Sequence, residues 1–143
     1  VYEKGGSYMP DIKQARSLLV LVAQDVDTLE IMMDSGRTAE RIVGFHAQQA
    51  VEKALKAWLA LLGVSYPMTH ILSSLFAFLE DKVGPDVEPF RDLVTLTPFA
   101  VQFRYEIYDG VGSGLDLAAL AKLTIKLTDH VNALLKQVER DGV

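Results

Sequence analysis

The chain has 143 residues, of which 50% are hydrophobic and 23% charged, and its formal net charge is −5. This composition excludes a disordered chain and predicts one domain over residues 1–143. The absence of cysteine excludes disulfides, thiolate zinc sites and cysteine nucleophiles, and it leads us to expect a cytoplasmic protein. The negative charge argues against a broad nucleic-acid surface, and no apolar run is long enough to span a bilayer.

The first predicted element is a long amphipathic helix that follows a loose N-terminal lead-in over residues 1–9. Pro10 and Asp11 open the helix, and Asp34-Ser35-Gly36 stops it. Between these signals, apolar residues recur at alternating steps of three and four along the sequence: Ile12, Ala15, Leu19, Val22, Val26, Leu29 and Met33. This spacing predicts one buried stripe along about six turns.

A second helix is predicted from Thr38 to Gly63, with the threonine hydroxyl capping its first turn and a left-handed glycine closing its last. The connection from the first helix is so short that the two helices should be antiparallel neighbours. A helical wheel divides this stretch into two halves. The apolar half holds Ala47, Ala50, Val51, Ala54, Leu55, Trp58, Leu61 and Leu62, and the polar half holds His46, Gln48, Gln49, Glu52, Lys53 and Lys56.

Two shorter helices are predicted in the middle of the chain. One begins at Thr69 or His70 and ends before Gly84-Pro85, and it bears the apolar residues Leu72, Leu75, Phe76 and Leu79. The other covers about residues 86–96, until Pro98 interrupts or kinks it. Residues 99–108 resemble a strand in composition, but the chain offers no partner strand. We therefore predict that they continue the helix and end in an irregular turn.

The last predicted helix starts near Asp116, after a flexible loop that contains Gly110, Gly112 and Gly114. Its apolar residues again alternate in steps of three and four: Leu117, Leu120, Thr124, Leu127, Val131, Leu134 and Val138. Together these elements predict an all-α fold, an up-and-down four-helix bundle with an additional short helix.

Phe45 and Leu59 are the apolar exceptions on the polar half of the second helix. Their position predicts that another helix or a second copy of the chain covers that side. A two-fold dimer is the commonest such assembly.

Three strings resemble the HEPN family of small helical domains: FHAQQAVEKALKAWL from Phe45, HILSSL from His70, and the proline-containing TLTPFAVQFRYE from Thr95. The resemblance implies an up-and-down bundle that pairs as a homodimer. It also implies a nucleotide or RNA ligand and frequent association with a small nucleotidyltransferase. Many members of the family belong to toxin–antitoxin pairs, so such a role is implied here too.

Members of this family that cut RNA carry an arginine, then four to six residues, then a histidine. After Arg104, this chain has Asp109, Gly110 and Val111 at the corresponding positions. The missing histidine leads us to expect no catalytic residues and a binding module rather than a stand-alone enzyme, with RNA less favoured than a nucleotide. Two alternatives remain. One is a metal-independent ribonuclease that uses Arg104 with His46 or His70, and the other is a purely structural interaction domain.

Two groups of residues are candidates for ligand binding. His46, Gln49, Lys53 and Lys56 follow one another at steps of three, four and three, which aligns them along one stripe that could hold a phosphate. The alternative is a solvated face with ordinary ion pairs among Glu52 and the two lysines.

Arg104 and Tyr105 form the second group, since a guanidinium can bind phosphate while an aromatic ring stacks on a base. Alternatively, Arg104 pairs with Glu106 or Asp109 and stabilises the turn. We expect the second group to lie beside Lys53.

No metal or cofactor is expected. His46, His70 and His130 are widely separated and match no helical metal-binding spacing, and His70 is predicted to interact only locally. The glycine-rich stretch of residues 110–114 follows no strand and lacks the lysine of a phosphate-binding loop.

Overall fold

All regular structure is helical in the computed structural model, which describes residues 9–102 and 114–142. This confirms the predicted all-α bundle. Of the predicted N-terminal lead-in, only Met9 lies within the described residues. The elements in chain order are α1 (Ile12–Ser35), α2 (Glu40–Leu61), α3 (Leu72–Val83), a 3-10 segment (Gly84–Leu96), α4 (Thr97–Gln102) and α5 (Leu117–Asp141).

Helix α1 begins and ends where its sequence signals predict. The side chain of Asp11 accepts a hydrogen bond from the backbone N–H of Gln14, and Gly36 adopts a left-handed conformation with φ 65°. The predicted stripe is buried at Ala15, Leu19, Val22 and Leu29. In the last turn the buried side has rotated, so Met32 is buried and the predicted Met33 is exposed.

Helix α2 confirms one predicted end and contradicts the other. Gly63 has φ 71° and closes the helix in the left-handed conformation. Thr38 does not cap the first turn, because α2 starts at Glu40 and Ala39 occupies the cap position without a side-chain hydrogen bond. The threonine hydroxyl therefore lies one residue too early to serve the helix.

Contacts at the helix ends show the relative directions of the three long helices. The backbone N–H of Asp11, at the start of α1, donates to the carbonyl of Ala60, at the end of α2, over 2.8 Å. Arg16 forms an ion pair of 2.6 Å with Glu139, near the end of α5. Helix α1 is therefore antiparallel to both α2 and α5, as an up-and-down arrangement requires.

Helix α2 is the centre of the bundle. It contacts every other helical element, and 14 of its 22 residues are buried. The predicted apolar half is buried except for the half-buried Leu62. Leu59, on the other half, is also fully buried within this chain, so its burial requires no second copy. Phe45 is half-buried, and its ring meets the His46 ring edge-on at 5.3 Å.

Residues 84–96 form a 3-10 segment where the sequence predicts an ordinary helix. Its buried residues, Val87, Phe90, Leu93 and Leu96, recur at every third position. A helix with three residues per turn places such residues on one line, whereas an α-helix would spread them around its surface. The core contacts thus favour the tighter winding. The preceding α3 buries its four predicted residues, although it begins at Leu72.

The helical segment before Pro98 ends at Leu96, as predicted. Pro98 itself is the second residue of a new helix, α4, where a missing backbone N–H costs no helical hydrogen bond. Helix α4 brings the buried Phe99 against Gly44, and a Cβ on Gly44 would overlap the Phe99 ring. The predicted turn and glycine loop lie outside the described residues, apart from Gly114, whose φ is 83°.

Helix α5 starts after Asp116, whose side chain accepts the backbone N–H of Ala119 over 3.0 Å. The predicted stripe is buried from Leu117 to Val131, while Leu134 and Val138 are half-buried. Beside it, the rings of Trp58 and His130 lie 4.7 Å apart and fill the space between α2 and α5.

The close contact between Gly44 and Phe99 predicts an unusual mutational result. Gly44→Ala should lower the free energy of unfolding by about 1–2 kcal/mol, because the added methyl group overpacks the Phe99 ring. At an ordinary helical position the same change stabilises by about 1 kcal/mol. Urea denaturation measures the difference. In a Phe99→Leu background the cost should shrink, and a stabilising Gly44→Ala in the wild-type background would contradict the contact.

Candidate functional site

The polar half of α2 is mostly covered, and it forms what we call the polar strip: His46, Gln48, Gln49, Glu52, Lys53 and Lys56 of α2, with Asp25 of α1 and His70 from the segment before α3. Gln48 is fully buried and Glu52 nearly so. The alternative of a solvated face is therefore wrong for Glu52, although the ion pair that this alternative expected between Glu52 and Lys56 is present. Because buried polar groups are costly without partners, their contacts define the strip.

Asp25 joins two of the predicted ligand-binding residues. Its Oδ1 lies 3.1 Å from Nδ1 of His46, and its Oδ2 accepts a hydrogen bond of 2.9 Å from Nζ of Lys53. The sequence analysis missed Asp25. The signal was available, because Asp25 lies three residues after the buried Val22 and four before the buried Leu29, which places it beside the core stripe.

Glu52 is the centre of the second half of the strip. Its Oε2 accepts a hydrogen bond of 2.8 Å from Lys56, and its Oε1 accepts one of 3.0 Å from the Gln48 amide. Nδ1 of His70 lies 2.9 Å from the same Oε1. This contact spans 18 residues of sequence, so the prediction that His70 interacts only locally is wrong.

The environment of Glu52 keeps its carboxylate ionised. Burial by itself would raise the pKa of Glu52, but the hydrogen bonds from Lys56, His70 and Gln48 outweigh burial and hold the pKa below its ordinary value. Since an ionised carboxylate only accepts hydrogen bonds, Nδ1 of His70 carries the donated proton. The Nε2 atom of His70 is then left for another contact, and the His70 side chain is 68% exposed.

Gln49 connects to the strip through a neighbouring amide. Its Nε2 donates to Oε1 of Gln48 over 2.8 Å, and Gln48 in turn donates to Glu52. No buried side-chain nitrogen or oxygen lacks a hydrogen-bond partner among the residues that the structure describes. The strip is thus a satisfied network whose geometry is fixed by several contacts at once.

The predicted site residues are therefore distributed over two carboxylates. His46 and Lys53 meet at Asp25, Lys56 meets Glu52, and Gln49 joins through Gln48. Arg104 and Tyr105 lie outside the described residues, so their predicted place beside Lys53 stays a prediction.

Basic side chains outnumber carboxylates in the strip. Four basic side chains share two carboxylates: His46 and Lys53 at Asp25, and Lys56 and His70 at Glu52. When the two imidazoles are protonated, the strip carries an excess of positive charge although the whole chain is acidic. Such an arrangement can attract an anion and donate charge-assisted hydrogen bonds to it.

Residues 9–102 and 114–142 contain no group of three histidine or acidic side chains placed to hold a metal ion. Within the same ranges, no helix combines the length and apolar character needed to cross a bilayer. A cavity of about 480 Å³ lies where the start of α1 meets the end of α2, and its walls include Asp11, Gln14 and Tyr66 but no residue of the strip.

The comparison with known families was made on the whole chain. A sequence model of the HEPN domain matches residues 23–140. The chain belongs to the HEPN domain family. The match contains the entire polar strip, from Asp25 to His70, about half of α1 and all but the last residue of α5. Searches of curated proteins and of solved structures returned no significant match.

The Glu52 contacts predict how the stability of this HEPN domain depends on pH. Glu52→Gln should lower the free energy of unfolding by about 1–3 kcal/mol at pH 7, because Lys56 loses its buried carboxylate. The pKa of Glu52 is lower in the folded than in the unfolded protein, so the ionised carboxylate stabilises the fold at every pH above the unfolded-state pKa. This stabilisation is lost as the pH falls through the folded-state pKa. The difference between wild type and Glu52→Gln should therefore shrink below about pH 4.

Urea denaturation of both proteins from pH 7 to pH 3 provides the measurement. Glu88→Gln is the matched control, since Glu88 pairs with Arg91 on the surface and should change stability much less. A constant difference between wild type and Glu52→Gln across this range would contradict the role of the ionised carboxylate.

Proposed function

We propose that this HEPN domain is a binding module for a nucleotide, whose phosphate groups contact the polar strip. The observation that carries the proposal is the excess of basic side chains over carboxylates at Asp25 and Glu52. Membership of the HEPN family supports a nucleotide as the anion.

His70 is the most accessible part of the proposed site. Its Nδ1 is committed to Glu52, and the rest of its ring faces solvent. A protonated His70 would donate from Nε2 to a phosphate oxygen, with Glu52 fixing the ring. Lys53 is about one quarter exposed and would contribute a second positive charge from the neighbouring cluster. Hydrogen bonds to charged groups contribute about 1.5–3 kcal/mol each.

Arg104 and Tyr105 are further proposed ligand-binding residues, and they are inferred from the sequence. A guanidinium provides a planar pair of donors for phosphate, and a phenol ring provides a surface for a base.

As the family resemblance implies, we further propose a homodimer and a small nucleotidyltransferase as the protein partner, in a toxin–antitoxin pair. Co-purification with the product of the adjacent reading frame tests the partner.

The absent histidine after Arg104 favours binding over catalysis. Asp109, Gly110 and Val111 occupy the positions where RNA-cutting members carry it. None of these side chains is an imidazole that could exchange a proton with the 2′-hydroxyl or the leaving oxygen.

Nucleotide titration tests the proposal. Fluorescent ATP and GTP analogues should bind the wild type, and Lys53→Gln and Arg104→Ala should each weaken binding about tenfold or more, since each removes a charge-assisted contact. Lys13→Gln and Arg140→Ala are the controls, because both residues are exposed and distant in sequence from the strip. Binding is expected to weaken as salt concentration rises.

The outcomes test the role of each residue separately from nucleotide binding by the protein as a whole. Equal affinities for wild type and Arg104→Ala would remove Arg104 from the site. Equal affinities for wild type and Lys53→Gln would show that the polar strip is not part of the nucleotide-binding site. Absence of binding to either analogue would leave the purely structural interaction domain as the better description.

A second candidate, metal-independent RNA cleavage, is favoured by the pairing of His70 with Glu52. A carboxylate on Nδ1 orients an imidazole and makes Nε2 a better proton acceptor, an arrangement that general bases use. Incubation of structured RNA with the protein in EDTA should give no cleavage if binding is the function. Cleavage that is lost in both His70→Ala and Arg104→Ala would establish the second candidate instead.

A further inference from the structure

A groove separate from the polar strip runs along one end of the bundle, between the last turns of α1, the first turns of α2 and the first turns of α5. It consists of two adjoining cavities of about 390 and 270 Å³, which share Met33 and Ala118 as lining residues. None of the strip residues lines either cavity.

The floor of the groove is apolar. Leu29, Met32, Val43 and Leu117 form its buried part, and Met33 adds an exposed thioether side chain. On α5, Ala118 and Ala121 lie one turn apart, and their small side chains leave the space that the cavity occupies. Apolar surface that residues 9–102 and 114–142 leave open in this way favours occupation by apolar side chains of a partner.

The rim of the groove is acidic. Four carboxylates line it, those of Glu30, Asp34, Glu40 and Asp116, against the single ammonium of Lys122. Asp116 caps α5, while Glu30, Asp34 and Glu40 form no ion pair with any residue in the described ranges. The rim therefore carries a largely uncompensated negative charge.

The end of α1 adds to this negative potential. The carboxyl end of a helix carries a partial negative charge, which basic residues in the last turn usually offset. Helix α1 has no basic residue in its last turn and instead places Asp34 there. A cation brought to this end from outside would satisfy both the carboxylates and the exposed carbonyl groups of the helix.

We propose that this groove docks a cationic amphipathic helix of a partner protein. Its leucine-like side chains would enter the space above Ala118 and Ala121, and its lysine or arginine side chains would face Glu30 and Asp34. The proposal rests on the protein partner suggested under the proposed function, and it states where on this chain that partner would bind. The two sites select ligands of opposite charge, because the acidic rim of the groove repels a phosphate group that the basic side chains of the polar strip would attract.

The test uses a fluorescein-labelled amphipathic peptide of about 14 leucine and lysine residues, roughly 21 Å long as a helix. Fluorescence anisotropy should detect binding to the full chain. Glu30→Lys with Asp34→Lys should weaken it at least about tenfold, through repulsion at the rim. Asp81→Lys with Asp86→Lys is the matched control, since both residues are exposed and the change in net charge is the same. Ala118→Trp should also weaken binding, by filling the groove.

Three results would overturn the proposal. One is equal loss of affinity in the two charge-reversed proteins, which would show attraction to the acidic chain as a whole. Another is failure of the peptide to bind the wild type. The third is conversion of a dimer to a monomer by Glu30→Lys with Asp34→Lys, seen by sedimentation, which would assign the groove to a second copy. Nucleotide affinity should be unchanged in Glu30→Lys with Asp34→Lys, so the groove and the strip can fail independently.

Discussion

The burial of Glu52 on the central helix is the constraint on which the rest of the site depends. Helix α2 is covered by neighbours along most of its length, so a carboxylate on it must be compensated inside the protein. Lys56 supplies the charge from the next turn, Gln48 supplies an amide from the previous one, and His70 supplies the third donor from outside the helix. These contacts fix the start of α3 against α2 and place His70 at the surface.

Much of the bundle follows from local sequence signals. The alternating apolar spacings of α1 and α5, the cap at Asp11 and the glycine stops are interactions within one helix, and they predicted those helices well. The 3-10 winding of residues 84–96 escaped prediction, because the spacing of three between its buried residues, such as Val87 and Phe90, was not distinguished from that of an ordinary helix. The end of this segment before Pro98 was predicted, but the start of α4 at Thr97 was not, since the same proline that ends one helix can stand in the first turn of the next.

The site was harder to predict than the fold. A helical wheel separates polar from apolar residues, but it does not say how many neighbours surround a helix, so it placed Gln48 and Glu52 on the polar half of α2 without showing that both are buried. The grouping of His46 with Lys53 was correct along α2, yet the carboxylate that joins them belongs to α1. Long-range pairs such as His70 with Glu52 leave no periodic signal in one sequence. The missed Asp25 did leave one, a charged residue between two core positions.

Family membership alone does not decide the function, because the contacts of His70 are compatible with both binding and catalysis. An imidazole whose Nδ1 is bound to a carboxylate has one free nitrogen, and the protonation state of that nitrogen decides its chemistry. Protonated, it donates to an anion, so affinity should decrease as pH rises. Neutral, it accepts a proton, so base catalysis should increase as pH rises. Binding and catalysis would therefore use the same contacts with opposite pH dependence. The chain lacks the histidine that RNA-cutting members carry after Arg104, so the direction in which nucleotide affinity and RNA cleavage change with pH is what distinguishes the two uses of His70.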